Sequence, residues 1–190
     1  MRTDKDAALT RIGRQVAACR SCKRHGVGKP VVGEGKPNAR IVFVGEAPGR
    51  QEAQSGRPFV GRAGQWLRQA IRHIGLDEQS VYLTNPVKYR PTGRTPSAAD
   101  VAHGRIHLLQ QLDIINPKIV VLLGTTACLG VLNENVAVRA RHGDVVVRDG
   151  RTYLITCHPA AVRFPAIRKA VLQDFRKLKA CAARLGKALY

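Results

Sequence analysis

A chain of 190 residues can bury a substantial core without disulfides or a structural metal, and its 32 Lys and Arg against 13 Asp and Glu give a formal charge of +19 and a pI near 10.8. That imbalance points to a polyanionic partner, of which nucleic acid is the commonest. No apolar run approaches the roughly 18 residues of a membrane helix, the opening Met1-Arg2-Thr3-Asp4-Lys5-Asp6 lacks the order of a secretory signal, and five unevenly spread cysteines suit reduced thiols in a cytoplasm.

Residues Asp6 to Val16 read as a short basic helix leading into Cys19-Arg20-Ser21-Cys22, and Gly26 to Asn38 as a Gly/Pro-punctuated connector. Residues 1–38 are thus expected as an N-terminal helix and connector on one domain spanning 1–190. Ala39 to Gly45 is the first strand, followed by a long loop to Gly61. Arg62 to Gly75 is a helix in which Ala63, Trp66, Leu67, Ala70, Ile71 and Ile74 share a face. Ser80 to Thr84 is a second short strand, delivering Asn85. Thr95-Pro96-Ser97 starts the next helix, with Asp100 in its first turn. Lys118 to Gly124 is apolar on both faces and therefore a central strand. Val145 to Val147 and Tyr153 to Cys157 form a hairpin around Arg148-Asp149-Gly150, and a basic helix from about Pro165 to Leu185 closes the chain. Strands alternating with helices predict a three-layer α/β/α sandwich on a central, mainly parallel four-stranded sheet.

In such a sheet ligands gather at the carboxyl ends of the strands. The first strand delivers Gly45-Glu46-Ala47-Pro48-Gly49, the second Asn85, and the last His158-Pro159, while Gly56 to Gly64 carries Phe59 in a glycine-flanked loop. Singly, each has an ordinary explanation: Phe59 as core, Asn85 as a turn cap, His158 as an interior histidine. Together they place a stacking surface, an amide, an acid and an imidazole at one edge.

At these residues the chain resembles the uracil-DNA glycosylase superfamily, most closely its thermophile-type family 4. The matching segments are Gly45 to Gly49, Gly56 to Gly64, Thr84-Asn85 with Val87-Lys88, and His158-Pro159-Ala160 through Arg163. They occur in the family's order and spacing across Cys19 to Leu178. The resemblance implies a monofunctional glycosylase that hydrolyses the N-glycosidic bond of uracil flipped out of DNA, releases free uracil and leaves an abasic site. Glu46 and His158 would be catalytic. Ala47, Phe59, Asn85 and His158 would bind uracil, and Glu52 would be a secondary acid. Arg57, Arg62, Lys88 and Arg163 are candidate phosphate contacts, with a solvated basic face as their ordinary alternative. A monomer is expected, and a non-catalytic binder of damaged or abasic DNA is the alternative function.

The chain departs from the family at its metal. Family 4 holds a [4Fe–4S] cluster on four cysteines; Cys19 and Cys22 match two, but Tyr89 and Gly104 stand at the other two positions. No cofactor is therefore expected, with Tyr89 packing the vacated space. The alternative is a cluster or zinc held through Cys19 and Cys22 with non-cysteine ligands such as His25 and His103. Cys128, Cys157 and Cys181 look like inert thiols. A sister group traps its product through a histidine in an inserted loop; the interval Pro86 to Arg94 has none, so no trapping is expected, and Pro86 restricts the backbone of Asn85.

Overall fold

The computed structural model describes residues 4–93 and 95–184. Along the chain come helix α1 (Asp4–Ala18), the single turn α2 (Arg20–Lys23), strands β1 (Gly26–Val27), β2 (Glu34–Gly35) and β3 (Ile41–Val44), and helices α3 (Arg50–Ser55) and α4 (Arg62–His73). Then follow β4 (Tyr82–Thr84), β5 (Arg90–Pro91), α5 (Ala98–Ile115), β6 (Ile119–Leu123), α6 (Thr125–Leu132) and α7 (Val138–Arg141). The hairpin β7 (Val145–Arg148) and β8 (Arg151–Thr156), a 3₁₀ turn at Pro159–Ala161 and α8 (Pro165–Arg184) complete the order. Arg94 and Leu185 lie outside the described residues.

The main sheet has six strands, not four, in the order β2-β4-β3-β6-β8-β7. Its four central strands are mutually parallel, and β2 and β7 add antiparallel edges. Every residue of β3 and β6 is buried, as apolar runs between two helical layers require. Edge strand β2 is two residues inside the predicted connector, too short to carry any periodicity.

Right-handed crossovers place α4 on one face and α5 and α6 on the other, because the chain steps one way from β3 to β4 and back past β3 to β6. The packing agrees. Helix α5 lies against α6 and α1, whereas α4 meets α8, where Phe175 sits 5.9 Å from Phe43 and 6.5 Å edge-on from Trp66. The start of α5 is a reciprocal cap. The Asp100 amide donates to Ser97 Oγ at 3.1 Å, and the Ser97 amide donates to Asp100 Oδ2 at 3.0 Å.

Candidate active site

The connections after β3 and β6 leave for opposite faces, so the crevice between these neighbours is the topological switch point of the sheet. Glu46 stands just beyond β3 in that crevice, half-buried, and accepts a 3.3 Å hydrogen bond from Thr126 Oγ1 in the first turn of α6. Burial raises its pKa above the ordinary carboxylate value, and the Thr126 bond opposes the rise.

Phe59 forms the neighbouring wall. It has a positive φ of 54°, a conformation that a bulky residue adopts only when its surroundings impose it. Glu52 of α3 imposes part of it, because its Oε1 accepts the amides of Val60 at 2.9 Å and Gly61 at 2.7 Å. Arg68 of α4 imposes the rest, donating to the carbonyls of Phe59 and Pro58, each at 3.0 Å. Helix α4 also approaches the loop so closely that a methyl on Gly64 would lie 2.2 Å from the Phe59 carbonyl carbon. Gly45 plays the same part at the end of β3. A Cβ there would fall 2.5 Å from Asn85 Oδ1 and 2.6 Å from Phe59 Cζ. The missing side chain is what lets ring and amide stand together.

Asn85, at the end of β4, is 3% exposed, and no described residue hydrogen-bonds its amide. His158 follows β8. Its Nδ1 accepts the Ala160 amide at 3.2 Å, which leaves Nε2 as the nitrogen that carries the proton. Burial pushes its pKa down to about 4, so at neutral pH the ring is an uncharged Nε2–H donor. Ala47, Phe59, Asn85 and His158 line one recess, and Glu46 lines an adjoining one that shares Ala47, Gly49 and Arg50 with it.

The predicted phosphate contacts divide. Arg62 is exposed at the mouth of the recess, and Arg163 is exposed with its guanidinium 4.8 Å over the Phe164 ring. Arg57 is also exposed, but it is paired to Glu34 through bonds of 2.7 and 2.8 Å. Lys88 is a correction. It is 1% exposed and donates inward to Gln111 Oε1 at 2.6 Å, Thr84 Oγ1 at 2.9 Å and the Val32 carbonyl at 3.1 Å, so no phosphate can reach it. Three residues were missed. Nothing in the sequence singles out Arg68, Thr126 lies in a segment given no element, and only its place after His158-Pro159 could have marked the 47% exposed Phe164.

A family model described as the uracil DNA glycosylase superfamily matches residues 32–176. The chain belongs to this family. A type-4 uracil-DNA glycosylase of Thermotoga maritima is 38% identical to it, covering 92% of this chain and 95% of its own length. The type-4 enzyme of Sulfurisphaera tokodaii is 39% identical over 92% and 85% of the two chains. A type-5 uracil-DNA glycosylase of Pyrobaculum aerophilum is 31% identical over 84% and 78%.

The four-cysteine cluster implied by the resemblance does not fit the donors present. Tyr89, 2% exposed, packs on Ile12 and Val16 where a third thiolate is needed. Gly104 has no room for a fourth, since a Cβ there would meet the Pro86 carbonyl oxygen at 2.2 Å. His25 is also drawn away from the expected alternative set. Its Nδ1 lies 3.2 Å from Asp100 Oδ1 at the start of α5. In its place His107 joins Cys19, Cys22 and His103 as a group able to hold a metal ion.

Proposed function

We propose that this protein is a monofunctional uracil-DNA glycosylase, which hydrolyses the N-glycosidic bond of a uracil flipped out of DNA and leaves an abasic site for base excision repair. The observation that carries the reading is the convergence of Asn85, Phe59 and a neutral His158 Nε2–H on one recess beside Glu46. A flipped base costs a few kcal/mol of lost stacking, of which Phe59 returns roughly 1–3 kcal/mol. The Asn85 amide offers an acceptor for uracil N3–H and a donor for O4; cytosine presents the opposite pattern and leaves both groups unpaired.

Cleavage moves the bonding pair of C1′–N1 onto the ring. His158 Nε2–H donates to the O2 on which the charge gathers, and because the imidazole is already neutral it needs no proton exchange before doing so. Glu46, ionised, stabilises the cationic sugar and takes the proton that the water gives up as its oxygen bonds to C1′; the departing uracil anion gains its proton from solvent, and Glu46 returns its own to solvent. Glu52 acts at one remove by holding the Phe59 loop. Arg62 and Arg163 serve as phosphate contacts, and exposed Phe164 suits a wedge into the base stack left by the flipped nucleotide. The five free cysteines support work in a reducing cytoplasm.

The test is release of uracil from single- and double-stranded oligonucleotides, read as alkali-labile breaks. Wild type should cleave both uracil substrates and spare thymine, with His158→Ala and Glu46→Ala severely slowed. Absence of cleavage on both forms, with binding retained and insensitive to the two substitutions, would establish a non-catalytic binder instead.

A further inference from the structure

Helix α5 presents His103 and His107 one turn apart on the same face, and opposite it Cys19 caps the turn α2 while Cys22 lies within that turn. One ligand atom from each of the four lies within 4.8 Å of all the others. Cys19 Sγ already sits 3.1 Å from His103 Nε2, although 84 residues separate them. The two imidazoles stand 5.8 Å apart at 82°, directions from which both can address one point. Most telling is His107. It is 9% exposed, and neither of its ring nitrogens has a hydrogen-bond partner. A buried imidazole left bare at both nitrogens is costly and calls for an explanation.

We propose that Cys19, Cys22, His103 and His107 form a closed tetrahedral site for one zinc ion, at the place where relatives of family 4 type carry an iron–sulfur cluster. Tetrahedral zinc, with Zn–S about 2.3 Å and Zn–N about 2.0–2.1 Å, sets neighbouring donors about 3.3–3.8 Å apart. The widest pair of the present group therefore needs to close by at most about 1–1.5 Å. Two thiolates with two imidazoles suit zinc, whereas calcium and magnesium want oxygen and a four-iron cluster wants thiolates throughout. The spacing agrees, Cys-x₂-Cys followed by His-x₃-His being a common pattern of structural zinc. With four protein ligands no position remains for water or substrate, so the ion is a clip holding α2 on α5 and takes no part in base release. The inference is independent of the proposed enzymatic activity.

Untagged full-length protein, produced with both zinc and iron in the medium, is assayed for metals and acid-labile sulfide. Its cobalt-substituted form is examined for thiolate-to-metal charge transfer. One zinc per chain, no labile sulfide and a two-thiolate tetrahedral cobalt spectrum are expected. His107→Gln should weaken zinc in chelator competition by at least about 100-fold, as much as losing an outer-shell partner can cost, while Cys181→Ser leaves it unchanged. Stoichiometric iron with sulfide would overturn the proposal. So would failure of the wild type to bind added zinc, or a cobalt spectrum without thiolate bands; neither of these depends on the variants folding.

Discussion

Acidification from pH 7 to pH 4 forces a proton onto His158 in a place where burial holds its pKa at about 4, against about 6.5 in an unfolded chain. Between those values the unfolded chain binds the proton and the folded one does not. The contribution is therefore complete above about pH 6.5, is lost as pH falls towards 4, and changes no further below that. A gap of about 2.5 pH units at about 1.4 kcal/mol each amounts to about 3.5 kcal/mol in full, of which about 3 kcal/mol falls between pH 6.5 and 4, a large part of an ordinary domain's stability. Urea unfolding of wild type and His158→Asn across this range isolates the effect, because asparagine can still accept the Ala160 amide that His158 Nδ1 now accepts. Glu34 and Asp100, whose pKa values are lowered chiefly by bonds from Arg57 and Ser97, lose their contribution in more acid solution in both proteins and cancel in the difference. The wild type should lose about 3 kcal/mol more than the variant between pH 6.5 and 4. Parallel curves would refute both the depressed pKa and the neutral donor assigned to this ring.

Further outcomes follow from the same geometry. Because burial raises the Glu46 pKa, single-turnover cleavage should fall on acidification with a midpoint above the ordinary glutamate value of 4.5; Glu46→Gln should lower the rate by about 10²–10⁴-fold and abolish that acid limb. Lys88→Met should cost about 1–3 kcal/mol in urea unfolding yet leave the salt dependence of DNA binding unchanged, whereas Arg62→Ala and Arg163→Ala should each lower the slope by about 0.9 on duplex. A smaller slope for the lysine variant would restore the phosphate contact. Gly64→Ala, with its methyl 2.2 Å from the Phe59 backbone, should destabilise by about 1–3 kcal/mol and slow cleavage through the displaced ring; a neutral effect on both would show that the loop yields.

The pocket was legible because its residues sit where strands end, and buried parallel strands announce themselves as apolar runs. The runs ending before Glu46, Asn85 and His158 needed no knowledge of contacts to be placed at one edge. What could not be read was whatever depends on which polar groups face each other across the fold. Lys88 looks the same in sequence whether it points at a phosphate or, as here, at Thr84 and Gln111 inside the protein. Arg68 and Glu52 hold the Phe59 loop from two different helices, a partnership invisible to periodicity. Helix α6 escaped notice because Thr125–Leu132 is apolar nearly all round and wedged between α5 and β6, so no amphipathic pattern marks it. His107 was passed over for His25 because nearness in sequence to the cysteine pair says nothing about which helix face meets it.

The absence of a cysteine at 104 and the Asn85-Pro86 pair are sterically linked. Pro86 is packed between two helices, its carbonyl against Gly104 of α5 and its ring against Gly130 of α6, where a Cβ would lie 2.2 Å and 2.6 Å away respectively. A cysteine at 104 would collide with the backbone that delivers Asn85 to the recess, so this proline geometry and a fourth thiolate at that position exclude each other. Tyr89 is equally constrained. Its ring fills the space beside Ile12 and Val16, and a Cβ on Gly26 would lie 2.4 Å from the tyrosine Cβ. Cysteines placed at 89 and 104 would open a cavity at the first and force an overlap at the second. The histidines of α5 reach the same cysteine pair without needing a side chain at 104 or a smaller one at 89, which is why a Cys₂His₂ set is available to the chain where a Cys₄ set is not.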